Sequence, residues 1–183
     1  MGQLPVSSAE RMFLECATVL RLDELIALGD ALVRRPRPQY EERHCPYSSI
    51  EALAAYLDGH HNVSGHRLAS AALRQVRVGA DSAQETRMRL ALVRAGLPEP
   101  ELQVPADPQD PRSPQADAAY VEQRIALQYD GQVHFDAVRA KQHRWVDRYF
   151  SSRGWTVLRY YDEDARDGFR RTVFEVRRTL DEC

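Results

Sequence analysis

The segment Ile125-Ala126-Leu127-Gln128-Tyr129-Asp130-Gly131-Gln132-Val133-His134 decides how this chain is read. It opens on a short apolar run of the kind a buried strand uses, and it passes into Asp-Gly, a turn signal. Gln128, Asp130, Gln132 and His134 recur at every second position, so a strand that continued through the turn would place them on one face. Just upstream, Asp117-Ala118-Ala119-Tyr120 has the pattern of a partner strand, and its carboxylate is expected to face Asp130 across the pair. Acidic and polar groups converging at the end of a sheet make a candidate divalent-cation site.

Outward from this segment the pattern remains that of an α/β unit. Glu101 to Pro105 reads as a first strand, residues 106–115 as a Pro-, Asp- and Gln-rich loop, and 116–121 as a second strand. Glu122-Gln123 is a tight turn and 124–129 a third strand. Residues 136–152 predict a helix with Val138, Trp145, Val146, Tyr149 and Phe150 as apolar anchors, stopped by Gly154. A β-run at 155–161 and a helix near 166–180 follow, the latter carrying Phe169, Val173, Val176 and Leu180 at helical spacing. Ahead of the strands, Ser82-Ala83-Gln84-Glu85 matches a capping box. The helix it heads carries Met88, Leu90, Ala91, Leu92 and Ala95, with Gly96 as its stop and Arg87, Arg89 and Arg94 on or near its exposed side. The prediction is an antiparallel meander, a crossover helix and a further strand, giving a mixed sheet flanked by helices.

Residues 1–78 predict an all-helical subdomain ahead of the α/β domain at 79–183. Ser7-Ser8 offers caps for a helix with Met12, Phe13, Cys16, Val19 and Leu20, and Asp23 a cap for a second helix holding Leu25, Ile26, Leu28, Ala31, Leu32 and Val33. Arg34-Arg35-Pro36-Arg37-Pro38 ends that helix and is expected to be a solvated helix end. Two shorter helices, with Ile50 to Leu57 and Leu68 to Val76 as their apolar positions, flank a loop containing His60 and His61. The spacing of His44, Cys45, His60, His61 and His66 fits no ordinary pattern of paired zinc ligands.

Composition narrows the classes. Hydrophobic residues make up 43% and charged residues 28% of 183, as in a folded globular protein. The net charge is −2, and 1–78 and 79–183 carry nine acidic against nine basic and 18 against 16, so nucleic-acid binding calls for a local patch. Lys141 is the only lysine. Three scattered cysteines, no long apolar run and no leader-like N-terminus lead to the expectation of a cytoplasmic protein that does not enter membranes.

One ordered set of motifs carries a resemblance. Glu85-Thr86-Arg87-Met88-Arg89, Gly96-Leu97-Pro98-Glu99-Pro100, Asp117-Ala118-Ala119-Tyr120, Tyr129-Asp130-Gly131, His134 and Gly154-Trp155-Thr156-Val157-Leu158-Arg159 together are similar to the family catalogued as domain of unknown function 559. That family resembles the very-short-patch-repair endonucleases and the PD-(D/E)xK restriction-endonuclease-like fold. The resemblance covers roughly residues 79–180. It implies an endonuclease-like protein hydrolysing DNA phosphodiester bonds with magnesium or manganese. Asp117, Asp130 and Glu85 would be the metal ligands, and His134 the group after the turn that moves a proton. Gln128 departs from the pattern: relatives carry glutamate there, and the amide removes one negative charge from the site. Arg87, Arg89 and Lys141 are the expected phosphate contacts, with Gln132 orienting water. The departure at Gln128 keeps an alternative in view. In it, a catalytically degenerate nuclease fold binds nucleic acid or protein, as a defence or toxin–antitoxin component, with residues 1–78 meeting a protein partner. Homodimerisation is a further expectation, since many enzymes of this fold cut two strands as dimers.

Overall fold

The computed structural model describes residues 6–37, 41–131 and 137–182. The chain forms two compact units, Met1–Ala83 and Gln84–Cys183.

The first unit is helical. Helix α1 (Ala9–Cys16) starts where the Ser8 hydroxyl accepts the Arg11 N–H, and α3 (Ile50–Asp58) where Ser49 accepts the Ala52 N–H. Between them, α2 (Leu22–Val33) begins two residues earlier than a cap at Asp23 would place it. Asp23 lies inside the first turn, and Glu24 reaches back to the Arg21 N–H at 2.9 Å. Helix α1 ends at Cys16, which leaves Val19 78% exposed rather than anchoring the helix. Helix α4 (His66–Leu73) packs on α2 and α3. Phe13, Leu25, Ile26, Leu53, Ala69, Ala72 and Val76 are buried in this unit. Its arginine run is not the solvated helix end expected of it. Arg34 pairs with Glu41 at 2.7 Å and with Asp81 at 3.4 Å, and Arg37 also pairs with Asp81.

The second unit is three-layered. Helix α5 (Ala83–Arg94) precedes the strands β1 (Glu101–Pro105), β2 (Gln115–Tyr120) and β3 (Ile125–Asp130). These form an antiparallel meander; α6 (Ala137–Ser151) then leads to β4 (Thr156–Tyr161), which runs parallel to β3, giving the order β1-β2-β3-β4. This is the mixed α/β architecture the sequence predicts. Strand β3 is central and buried from Ile125 through Gln128, because both of its faces are covered. On one face Ala118, Tyr120, Ile125, Leu127 and Tyr160 pack with Met88 and Leu92 of α5. On the other, Ala116, Ala119 and Ala126 are small, and Phe150 of α6 fills the space above them with Val146 and Val157 alongside.

Left-handed residues shape two of the connections. Arg124 (φ +53) closes the β2–β3 turn by donating its N–H to Val121 C=O, and its guanidinium donates to Arg153 C=O at 2.9 Å. That second bond ties the turn to the loop entering β4, where the parallel ladder starts at Ile125 and Thr156. The helix expected near 166–180 is α8 (Arg170–Asp181), which starts later than expected and is preceded by a separate short helix, α7 (Asp162–Arg166). Gly168 and Phe169, at φ +67 and +61, lie between the two, and the Phe169 side chain turns into the core. No helix among the described residues is long and apolar enough to cross a membrane.

Candidate functional site

The site is built where β2 and β3 stop pairing. Their register runs through Tyr120 with Ile125, Ala119 with Ala126 and Ala118 with Leu127. Beyond that point side chains take over from the main chain. The Asp117 carboxylate accepts the Tyr129 N–H at 2.7 Å, and the Gln128 amide donates to Gln115 C=O at 3.0 Å. Backbone groups that lose their ladder partners at a splayed strand end need such substitutes when buried. Asp117 therefore does not sit opposite Asp130, as the alternation suggested; it bonds to the residue before it.

Asp130 is held from the other side. Gln128, Asp130 and, on β4, Arg159 alternate onto the face that α6 covers, with Gln128 and Arg159 as register partners. The Arg159 guanidinium bonds to Asp130 through Nη1 and to Asp147 of α6 through Nη2, the latter at 2.6 Å. His143, one turn before Asp147, places Nε2 3.2 Å from the second Asp130 oxygen. The Arg159 side chain is only 14% exposed. Burial disfavours its charge, but the bonds to Asp147 and Asp130 outweigh that and hold it above the ordinary arginine value. Gln128 itself is 9% exposed. On the opposite face Tyr129 donates its hydroxyl to Asp162 at 2.6 Å; burial first, and this bond second, push the tyrosine pKa up.

These bonds bear on the metal that the resemblance implies. A hard dication needs carboxylate oxygens free to turn towards it. Both Asp130 oxygens face cationic or imidazole nitrogen, one Asp117 oxygen is taken by a backbone N–H, and the Gln128 amide nitrogen points into the strand pair. Among the described residues no group of three or more His, Cys, Asp or Glu side chains is gathered to hold a metal ion. In this arrangement a cation at Asp130 would compete with Arg159 and His143 for its oxygens.

The remaining expected residues fall as follows. Glu85 is buried, 7% exposed, in the first turn of α5. Arg87 is exposed beside Gln84. Arg89 is corrected: it is 2% exposed rather than on the open side of the helix, and it pairs with Glu99 at 2.9 Å. A buried, paired guanidinium is out of reach of a nucleic-acid backbone at the surface. Lys141 is exposed on α6. Gln132 and His134 lie outside the described residues. Sequence reasoning missed Arg159, Asp147 and His143 as parts of the site. The signal was present: His143 and Asp147 share a helical face with Val146 and Phe150, and Arg159 alternates with the packed Val157.

Compared with known proteins, the chain is 29% identical over 170 residues to two uncharacterized proteins of Mycobacterium tuberculosis, from strains CDC 1551 / Oshkosh and ATCC 25618 / H37Rv. The match covers 91% of this chain and 58% of each relative, so the chain spans little more than half their length. No family model matches the chain, and no solved structure does.

Proposed function

We propose that the second unit is a restriction-endonuclease-like domain, similar to the domain of unknown function 559 family, that holds nucleic acid without hydrolysing it. One observation carries this reading: Arg159 spans Asp130 and Asp147, so the carboxylate expected to hold a cation is neutralised from within the fold. Gln128 acts in the same direction, since an amide replaces the charge that glutamate would bring and is spent on Gln115 C=O. What remains of the nuclease pattern is a splayed strand pair bearing Asp117 and Asp130 beside a cationic helix, a scaffold suited to binding a polyanion.

A working magnesium-dependent nuclease is the second reading. It is favoured by the bond from Asp117 to Tyr129, which brings that carboxylate to the residue next to Asp130. Cleavage of plasmid and single-stranded DNA in magnesium and manganese, alongside fluorescence-anisotropy binding, separates the two. The expected result is salt-sensitive binding with no cleavage by the native chain. Metal-dependent cleavage by the native chain that is lost in Asp117→Ala overturns the proposal. Cleavage that appears only in Gln128→Glu supports it, because restoring one charge would then restore the reaction.

A further inference from the structure

The outward side of α6 is made of Lys141, Arg144, Trp145 and Arg148, which fall within about 100° of one another at 100° per residue. All four are exposed, Trp145 to 50%. No acidic residue interrupts the stripe, for Asp147 lies on the inner side with Arg159. Neither Arg144, Arg148 nor Lys141 has an ion-pair partner among the described residues, whereas Arg34, Arg89, Arg153, Arg159 and Arg171 all do.

Trp145 is also braced. Its ring lies 5.6 Å from that of Tyr149, whose hydroxyl donates to Asp110 at 2.5 Å. The Arg153 guanidinium lies 3.7 Å from the centre of the Tyr149 ring and is fixed by Asp107 at 3.3 Å. One end of this ladder is anchored by the β1–β2 loop, and the other end presents an indole to solvent. A large apolar ring so exposed, set in position and surrounded by unpaired cations, is matched to a ligand that is both anionic and flat-faced.

We propose that this face of α6 binds single-stranded nucleic acid, with a base stacked on Trp145 and the flanking phosphates on Lys141, Arg144 and Arg148. This rests on the reading of the domain as a nucleic-acid binder and adds the strandedness and the surface. Paired bases in a duplex are already stacked and do not offer a face to an indole; an unpaired base does. The stripe spans roughly 10 Å at 1.5 Å per residue, room for about three phosphates.

The test is anisotropy titration of the full chain with a labelled oligothymidylate, the same length of duplex DNA and a labelled poly-glutamate peptide, over a range of salt. The expected results are preference for the single strand, a logarithmic salt slope near −2, and quenching of fluorescence that is absent in Trp145→Ala. Trp145→Ala weakens binding about tenfold. Arg144→Ala with Arg148→Ala, at sites where no neighbour depends on the charge, lowers the slope by about 1.4. Single-strand binding that ignores all three substitutions overturns this inference and leaves the domain a nucleic-acid binder by another face. Duplex preference, or equal binding of the acidic peptide, overturns it as well. Absence of binding to any nucleic acid overturns both this inference and the reading beneath it.

Discussion

The Asp117 carboxylate accepts the Tyr129 N–H at 2.7 Å, in the place a carbonyl would take if β2 and β3 continued to pair. A carboxylate that the sequence marks as a candidate metal ligand thus takes the place of a backbone acceptor between two strands. The two roles make different demands, since the cap needs only an acceptor oxygen and a cation needs charge. Asp117→Asn keeps the acceptor and is expected to cost under about 1 kcal/mol, whereas Asp117→Ala strands a donor and is expected to cost about 2 kcal/mol. Urea unfolding of both variants checks this; equal losses would show that charge, not the hydrogen bond, is what Asp117 contributes.

Arg159 binds carboxylates on two different elements, β3 and α6. Arg159→Gln leaves Asp130 and Asp147 facing each other without the cation between them. The site is neither fully buried nor fully open, so the expected loss is about 2 kcal/mol, between values typical of exposed and buried pairs. Adding Asp147→Asn removes one of the stranded charges, and the double variant is expected to lose less than the sum of the singles. Chemical denaturation of the four-member cycle measures the coupling.

Glu41 gives the first unit a pH dependence. The Arg37 N–H, opposed by desolvation and reinforced by Arg34 and Arg43, holds its pKa down from 4.5 to about 2. A depressed carboxylate contributes stability above its unfolded pKa and loses it as pH falls through the folded value. The stability gap between the native chain and Glu41→Gln is therefore expected to be full at pH 7 and to close between about pH 4.5 and 2. Thermal melts across that range would show it; a gap that stayed constant would mean that Glu41 acts through shape rather than charge.

Gly29 lies in the middle of α2, where glycine is a poor helix former. A Cβ there would come 2.4 Å from Val76 Cγ2 and 3.1 Å from Phe13. Gly29→Ala gains helix propensity but must push apart the contact between α2 and the segment after α4, and a net loss of about 1–3 kcal/mol is expected. Pairing it with Val76→Ala should recover part of the loss. Differential melting of the single and double variants tests this.

Much of the second unit was legible in its sequence because period and punctuation agreed locally. The apolar run at 125–127, the glycines after α5 and α6 and the alternation in β4 each name an element without reference to any other. Other features depended on contacts between distant segments. The break at Gly168 and Phe169 follows from the burial of Phe169, and helical spacing alone predicted a continuous helix there. Arg89 looked like one of several surface arginines until Glu99 and the packing around it were in place.

The amino-acid order alone was enough for the succession of main elements, for the mixed sheet and for the placing of Asp117 and Gln128 on neighbouring strands, since strand and helix periods are properties of neighbouring residues. What those side chains touch depends on contacts between distant segments. Asp130 meets Arg159, 29 residues later on a parallel strand, and Arg159 in turn bonds to Asp147 on the crossover helix, because the β3–β4 register and the packing of α6 bring three separate segments to one face. A charge pattern along the chain does not encode that pairing; the register of two strands and the rotation of one helix do.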